Sequence, residues 1–412
     1  MHYHYCIIGG GIAGVTAAET IRERDREGTI AIVSDETVPL YSRVLLPAYV
    51  KGDVERTRLN LRAIADFEKK EIFLFFGRKA TRVLPDEQSV LLDDNTRLSF
   101  DKLLIASGGT PRQWPVEGGN KKGIFRLHTI DDAEVLKRAL PDVNRAVVVG
   151  DKFIALEFLE IFHKADVPTT LICKHKNMFG NLLDSAGVRI LHDHLQSRNI
   201  TLAFEDEIAE IEGKERAERV ITKNGMSLPA DAVGVGIGLE RNFDFLDGSG
   251  ITTGKAGVVA NSFLETNISG IYAAGDIAEY EDAILGSRHI SGNWTGAFLQ
   301  GKVAGANMSL KTGEEKQEFR FVPFYSMMSF GMNITLLGTS APDYAESVSR
   351  GDPFERRYER FFLKDNRLAG AVLLNSAHDK PILAQLLEKR ILLESAKERM
   401  AQTDFDLSTL LK

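Results

Sequence analysis

Apolar residues in this 412-residue chain gather in short blocks that alternate between two periods. Tyr5-Cys6-Ile7-Ile8 is an unbroken apolar run of strand length. Ala17, Ala18 and Ile21 then recur at helical spacing toward Arg24, and Thr29 to Val33 is again rich in β-formers. The same order returns later: Arg145 to Gly150 predicts a strand, Phe153 to His163 a helix and Thr169 to Cys173 the next strand. Strand, turn, helix, strand is the pattern of a parallel α/β layer. Thr129 to Leu140 predicts a short helix stopped at Pro141-Asp142, Gly118-Gly119 with Lys121-Lys122-Gly123 predicts a crossing between domains, and Asp231 to Ile237 predicts the way back. Ile190 to Ile221 reads as short alternating segments, hence antiparallel strands. After a polar link at Thr312 to Lys316, Thr335 to Gly338, Phe361 to Leu363 and Leu368 to Leu374 predict strands. Asp365-Asn366 is the turn between the last two, and Ile382 to Ile391 predicts a terminal amphipathic helix.

Composition narrows this picture. A 43% hydrophobic content over this length exceeds what one core usually holds, so roughly two to three domains are expected. The net charge of -7, mixed along the chain with no long basic run, argues against nucleic acid or an anionic membrane surface as the main partner. No apolar run approaches the ~18 residues of a membrane span. No secretory signal is visible at the start, so a cytoplasmic protein is expected. Only Cys6 and Cys173 occur, both inside strand-like runs, and neither forms a CxxC or CxxxxC pair. A dithiol centre, an iron-sulfur cluster and a cysteine-based zinc site are therefore not expected, and the scattered histidines offer no metal motif.

The chemistry begins in the first turn, Gly9-x-Gly11-x-x-Gly14, with Ile12 and Ala13 between the last two glycines. The first glycine permits a tight turn, the second lets backbone approach a pyrophosphate and the third lets the helix pack on the sheet. The helix N-terminus then offers free N–H groups to phosphate. At the end of the following strand, Asp35, or Glu36 one residue on, can accept hydrogen bonds from an adenosine ribose. In this full context the turn predicts a dinucleotide site.

These residues resemble the FAD-dependent pyridine-nucleotide oxidoreductases, and three later segments extend the resemblance across essentially the whole chain. Leu103 to Arg112 is similar to that family's ATG segment, with Ser107 in place of threonine, and implies FAD contacts at Ala106, Ser107, Gly108 and Arg112. Ile271 to Asp276 resembles the second FAD motif, which implies that Gly275 and Asp276 lie against the ribityl or pyrophosphate region. Asn293-Trp294 through Gln300-Gly301 resembles the helix that follows and adds Trp294. Tyr41-Ser42-Arg43 with Leu46-Pro47 resembles the flavin-proximal segment of rubredoxin-reductase-like and nitrite-reductase-like members. There Arg43 could stabilise negative charge on the reduced flavin or be an ordinary surface arginine. The redox cysteine that disulfide reductases carry in this region is missing, as is their C-terminal His-Pro pair. Phe324 and Tyr325 could shield a flavin face or serve as core.

The second turn departs from the family where the fit is tightest. It reads Gly150-Asp151-Lys152-Phe153-Ile154-Ala155, so a long cation stands at the position of closest backbone approach, while Ala155 is a tolerated third glycine. Lys152 could obstruct a pyrophosphate or pair with it. Where an NADH site has a ribose-binding acid, the chain has Lys174, His175 and Lys176. They could bind the 2′-phosphate of NADPH or form an exposed turn. NADPH, NADH and no effective nicotinamide donor all stay open at this point. Glu157 matches a family glutamate beside the nicotinamide pocket.

The expectation is an α/β chain with two Rossmann-like FAD/NAD(P)-binding domains (three-layer ββα) plus a C-terminal α+β domain. The FAD domain spans 1–114 and 246–315, the inserted NAD(P)-like domain 115–245 and the C-terminal domain 316–412. The resemblance implies an oxidoreductase passing electrons from NADH or NADPH through FAD to an external acceptor, such as a rubredoxin- or ferredoxin-like carrier or a reductase subunit. No side chain performs covalent catalysis, no metal is expected and a homodimer is common in the family. The alternatives are an FAD enzyme with a non-nicotinamide donor and a flavin-containing regulatory or structural subunit.

Overall fold

The computed structural model describes residues 1–339 and 346–412. The chain divides into two compact units. One comprises 1–44, 56–110 and 239–321; the other comprises 45–55, 111–238 and 322–412. The inserted and C-terminal segments, expected as separate domains, form one unit, joined by the short stretch 45–55.

In the first unit, strand His2–Ile8 runs parallel to Ile30–Ser34 on one side and to Arg97–Ile105 on the other. Ile72–Phe76 extends the sheet at one end, and Ile271–Ala273 joins it in parallel beside Arg97–Ile105. Antiparallel Ser89–Leu92 and Ala80–Leu84 complete it. The parallel strands carry unbroken apolar runs, such as Tyr5 to Ile8, Ile30 to Val33 and Leu103 to Ile105, where both faces are covered: Cys6, Ile7, Ile30, Ile32, Leu103 and Leu104 are fully buried. Helix Ile12–Arg24 and helix Trp294–Met308 lie together against this sheet. Their approach depends on Gly301 and Gly305, since a Cβ at Gly301 would overlap the carbonyl oxygen of Ala13.

The second unit holds a parallel sheet ordered Ile200–Phe204, Thr169–Cys173, Ala146–Gly150, Ala232–Gly236, Ile124–Phe125. Helix Phe153–Lys164 packs on it, and Ile130–Ala139 begins in a capping box between Thr129 and Asp132. Its C-terminal part is an antiparallel sheet ordered Phe324–Ser329, Met332–Gly338, Arg367–Leu374, Arg357–Lys364, Glu346–Asp352.

Two sequence readings need correction. Ile190 lies in helix Ser185–Gln196, not in an antiparallel strand, and Ile200–Phe204 pairs in parallel. The side chain of Asp184 accepts the N–H groups of Ala186 and Gly187 and starts that helix. Only Ile208–Glu212, Arg219–Thr222 and Ser227–Pro229 form the expected antiparallel set. The helix expected at Ile382 to Ile391 spans Lys380–Lys389 and stops at Arg390, whose φ of 50° is left-handed. It is not terminal, because Lys397–Met400 and Leu407–Leu411 follow as further helical turns.

Candidate functional site

The first glycine turn joins strand His2–Ile8 to helix Ile12–Arg24. Gly9 has φ +120°, and a Cβ there would overlap the carbonyl of Ala106. A Cβ at Gly14 would overlap the carbonyl oxygen of Gly9. Gly11 differs: nothing lies within 4 Å of where its Cβ would be. That space faces the open N-terminus of a helix without a side-chain cap. Two glycines thus serve protein packing, and the middle one leaves room for something that is not protein. Ser34 and the Phe76 ring flank Gly10, and Phe76 meets Phe67 edge-on.

Strand Ile271–Ala273 delivers Gly275 and Asp276 to the same end of this sheet. Ala13 and Ala297 are the nearest side chains to Gly275, its N–H donates to Gln300 Oε1 at 2.6 Å, and Gln300 itself is fully buried. Gln300 Nε2 is buried with no hydrogen-bond partner among the described residues. Burial raises the Asp276 carboxyl above the usual range, opposed by the charges of Arg241 and Arg43. Arg241 Nε also donates to the Asp276 carbonyl at 3.0 Å. Arg43 pairs with Glu36, whose carboxylate also accepts from Tyr41 OH at 2.6 Å. Of the two acids read as ribose acceptors, Glu36 is thus part-buried and engaged, whereas Asp35 is exposed.

The structure brings Gly9, Gly11, Ile12, Ala13, Gly14, Ala106, Gly275 and Asp276 together around these strand ends. Ser107 and Gly108 follow directly on Ala106, with Gly108 at φ +68°. Trp294 begins its helix beside the cap Asn293, whose side chain accepts the Gly296 N–H. Arg112 falls within the second unit, where it is exposed and its N–H donates to the Gly238 carbonyl.

The family description "Pyridine nucleotide-disulphide oxidoreductase" matches residues 3–301, most of the chain. The chain belongs to this family. Membership makes it an oxidoreductase of the kind that uses FAD and NAD(P)H. A second description, "Reductase C-terminal", matches residues 329–411. Among curated relatives, rhodocoxin reductase of Rhodococcus erythropolis is 29% identical over 97% of this chain and 92% of its own length. Putidaredoxin reductase of Pseudomonas putida is 27% identical over 94% and 92%. The assimilatory nitrate reductase electron transfer subunit of Bacillus subtilis is 26% identical over 97% of this chain; the chain spans about half, 51%, of that relative. In fold, the chain matches the reductase of a covalent putidaredoxin reductase–putidaredoxin complex with a TM-score of 0.91, 24% identity and coverage of 99% and 98%.

FAD fits the first turn of this oxidoreductase. The vacant volume at Gly11, the Gln300 Nε2 that has no partner among the described residues and the carboxyl of Asp276 are the features that a dinucleotide with a pyrophosphate and a polyol chain would complete.

In the second unit, Gly150 (φ +140°) repeats Gly9: its Cβ would overlap the Gly236 carbonyl, and Ala155 packs beside it. Lys152 takes the helix-capping place of Gly11, with φ -134° and ψ -159° against -77° and -174°. Both are extended conformations open to any residue, so Lys152 strains nothing. Lys152 is exposed, as are Lys174, His175 and Lys176. Glu157 is pushed up to about 7 by burial and by Glu160, with Lys51 opposing. Tyr325 stacks on Phe153 at 3.9 Å, and Phe324 lies beneath the Lys380 ammonium, so within this unit both aromatics serve packing.

Sequence reasoning passed over Arg241, Gln300 and Phe76 as site residues. Gln300 alone carried a signal, as a polar residue among the small and apolar positions of a buried helix face. Arg241 and Phe76 have no sequence mark that sets them apart.

Proposed function

We propose that this protein takes electrons from NAD(P)H and passes them through FAD to a small external carrier of the ferredoxin or rubredoxin type. The observation that carries this reading is the state of the sulfur: both cysteines are fully buried in strands, and they lie in different units. Burial raises both thiols, to about 12 for Cys6 and about 11 for Cys173, so neither forms a thiolate at neutral pH. Electrons therefore leave without a dithiol relay, despite the family's name. The names of the relatives support a protein carrier as acceptor, since rhodocoxin reductase and putidaredoxin reductase match along nearly their whole length.

Bound FAD supplies the chemistry of accepting a hydride and releasing electrons singly. The chain's own residues do the rest. Gly9, Gly11, Ile12, Ala13 and Gly14 admit the pyrophosphate, Glu36 or Asp35 accepts from the adenosine ribose, and Phe76 offers the adenine an apolar face. Ala106, Ser107, Gly108, Gly275, Asp276 and Trp294 line the remainder, and Arg43 and Arg241 keep positive charge beside Asp276. On the second turn, Gly150, Ala155 and Glu157 shape the donor's site.

The described residues contain no helix long and apolar enough to cross a membrane. A cytoplasmic location follows in this reading from dependence on NAD(P)H. The test is rapid mixing of the flavin-loaded protein with NADH and NADPH, then steady-state cytochrome c reduction with and without an added [2Fe-2S] ferredoxin or rubredoxin. Flavin bleaching followed by carrier-dependent turnover supports the reading; bleaching by dithionite alone rejects it. Bleaching with turnover only through a copurifying subunit favours the subunit role that the nitrate reductase relative suggests.

A further inference from the structure

The second turn and the end of strand Thr169–Cys173 are tied together. His175 Nε2 lies 3.7 Å from Asp151 Oδ2, and the Phe179 N–H donates to the Asp151 carbonyl at 2.8 Å. The four basic residues that depart from the family pattern are therefore neighbours at the carboxyl end of one parallel sheet, where such sheets take their ligands. They are not equivalent. Lys174 pairs with Glu207 at 3.0 Å, and Glu207 also holds Lys223 at 2.8 Å. His175 lies beside Asp151, the one carboxylate inside the turn. Lys152 and Lys176 are exposed, and their side chains make no hydrogen bond or ion pair among the described residues. Of the nearby acids, Asp206 is buried and accepts the N–H groups of Glu207 and Asn224, which leaves Glu205 as the exposed carboxylate.

We propose that this second site selects NADPH over NADH, with Lys176 taking the 2′-phosphate and Lys152 the pyrophosphate. The inference rests on the NAD(P)H reading above and names the donor. The Lys152 Cβ occupies the volume that Gly11 leaves open, so a pyrophosphate stands off from the backbone and loses part of its N–H contact. A free ammonium on a flexible stem replaces those contacts with a charge pair. Strand Thr169–Cys173 ends on Lys174 in place of a carboxylate for the ribose diol, and an added phosphate dianion meets a lysine whose side chain has no other partner. Binding therefore leans on charge and is screened by salt.

The flavin-loaded protein is mixed with NADH and with NADPH, and the apparent Kd of bleaching is read at low and at 0.5 M salt. The 2′-phosphate contact is read separately, by calorimetric titration with 2′,5′-ADP and 5′-ADP. The expected result is an NADPH preference of at least tenfold that narrows with salt, tighter binding of 2′,5′-ADP than of 5′-ADP, and loss of both preferences in Lys176→Glu. Lys152→Gly is expected to flatten the salt dependence. Equal or better bleaching by NADH, with Glu205 then the acceptor for the ribose diol, overturns the proposal while leaving the electron-transfer reading intact. Bleaching by neither nucleotide overturns both. A Lys176→Glu variant that keeps the full preference overturns the role of Lys176, and circular dichroism shows whether that variant is folded.

Discussion

Arg350 faces Glu359 across two neighbouring strands of the C-terminal sheet, Nε to Oε2 at 2.5 Å, and its other arm reaches Asp379 at 3.0 Å. The same guanidinium donates to the carbonyls of Gln402 and Phe405, so one buried cation fastens the last segment of the chain to the sheet. Arg350→Ala is expected to lose roughly 3–5 kcal/mol, the usual cost of leaving buried carboxylates without their partner. Thermal unfolding measures the loss, and hydrogen exchange should show residues 402–405 losing protection first.

Glu359 gives that fastening a pH dependence. Burial and Asp379 push its carboxyl up to about 7, against Arg350. A carboxyl raised above its unfolded value contributes stability that is complete below about 4.3 and is lost as pH rises through about 7. The C-terminal domain is therefore expected to melt lower at pH 8.5 than at pH 5.5. Glu359→Gln should flatten that difference.

Gly11 and Gly14 stand three residues apart and should fail differently. Gly14→Ala places a Cβ on the carbonyl oxygen of Gly9 and should cost roughly 1–3 kcal/mol or prevent folding. Gly11→Ala meets no protein atom, so the melting of flavin-free protein should move by less than about 0.5 kcal/mol while flavin retention falls. The ratio of absorbance at 450 to 280 nm after purification, set beside the melting curve, separates the two.

Asp276→Asn replaces a carboxyl that burial already disfavours as an anion. The fold should be retained, because the Arg241 bond is to the backbone carbonyl. Flavin dissociation, followed by the fluorescence of released FAD, should rise roughly twofold to tenfold, consistent with the loss of one hydrogen-bonding carboxyl worth roughly 0.5–1.5 kcal/mol.

Glu157 titrates near 7 in the second turn of the helix that follows the second glycine turn. Below that pH the side chain is neutral, and above it its charge repels an anionic dinucleotide. Dinucleotide affinity is therefore expected to fall as pH rises through about 7, and Glu157→Gln should remove the step. Quenching of protein fluorescence at pH 6 and pH 8 measures it.

The parallel layers were legible because both-face burial writes unbroken apolar runs, as in Tyr5 to Ile8 and Ala146 to Gly150. The glycine turns were legible because backbone collisions at Gly9 and Gly14 leave no other residue type. Helix Ser185–Gln196 was not, since its polar face of Arg189, His192, Asp193 and Gln196 breaks the apolar period into pieces that resemble alternation. At the site, Asp276 stood out through its small neighbours, while Arg241 is an arginine like any other until the chain folds its Nε onto a carbonyl 35 residues away. The rank order among Lys152, Lys174, His175 and Lys176 depends on Glu207 and Asp151 as partners, and pairing across loops leaves no trace in spacing.

The seam between helix Ile12–Arg24 and helix Trp294–Met308 also sets an order of synthesis. A ribosome releases the first helix and most of its sheet long before residues 271–308, which supply one strand and the covering helix. Until then the nascent first unit exposes an open strand edge and an uncovered sheet face. The segment 111–238 is meanwhile complete as far as its own parallel sheet. The second nucleotide layer can thus fold during translation, whereas the flavin-binding layer, begun first, is finished only after it.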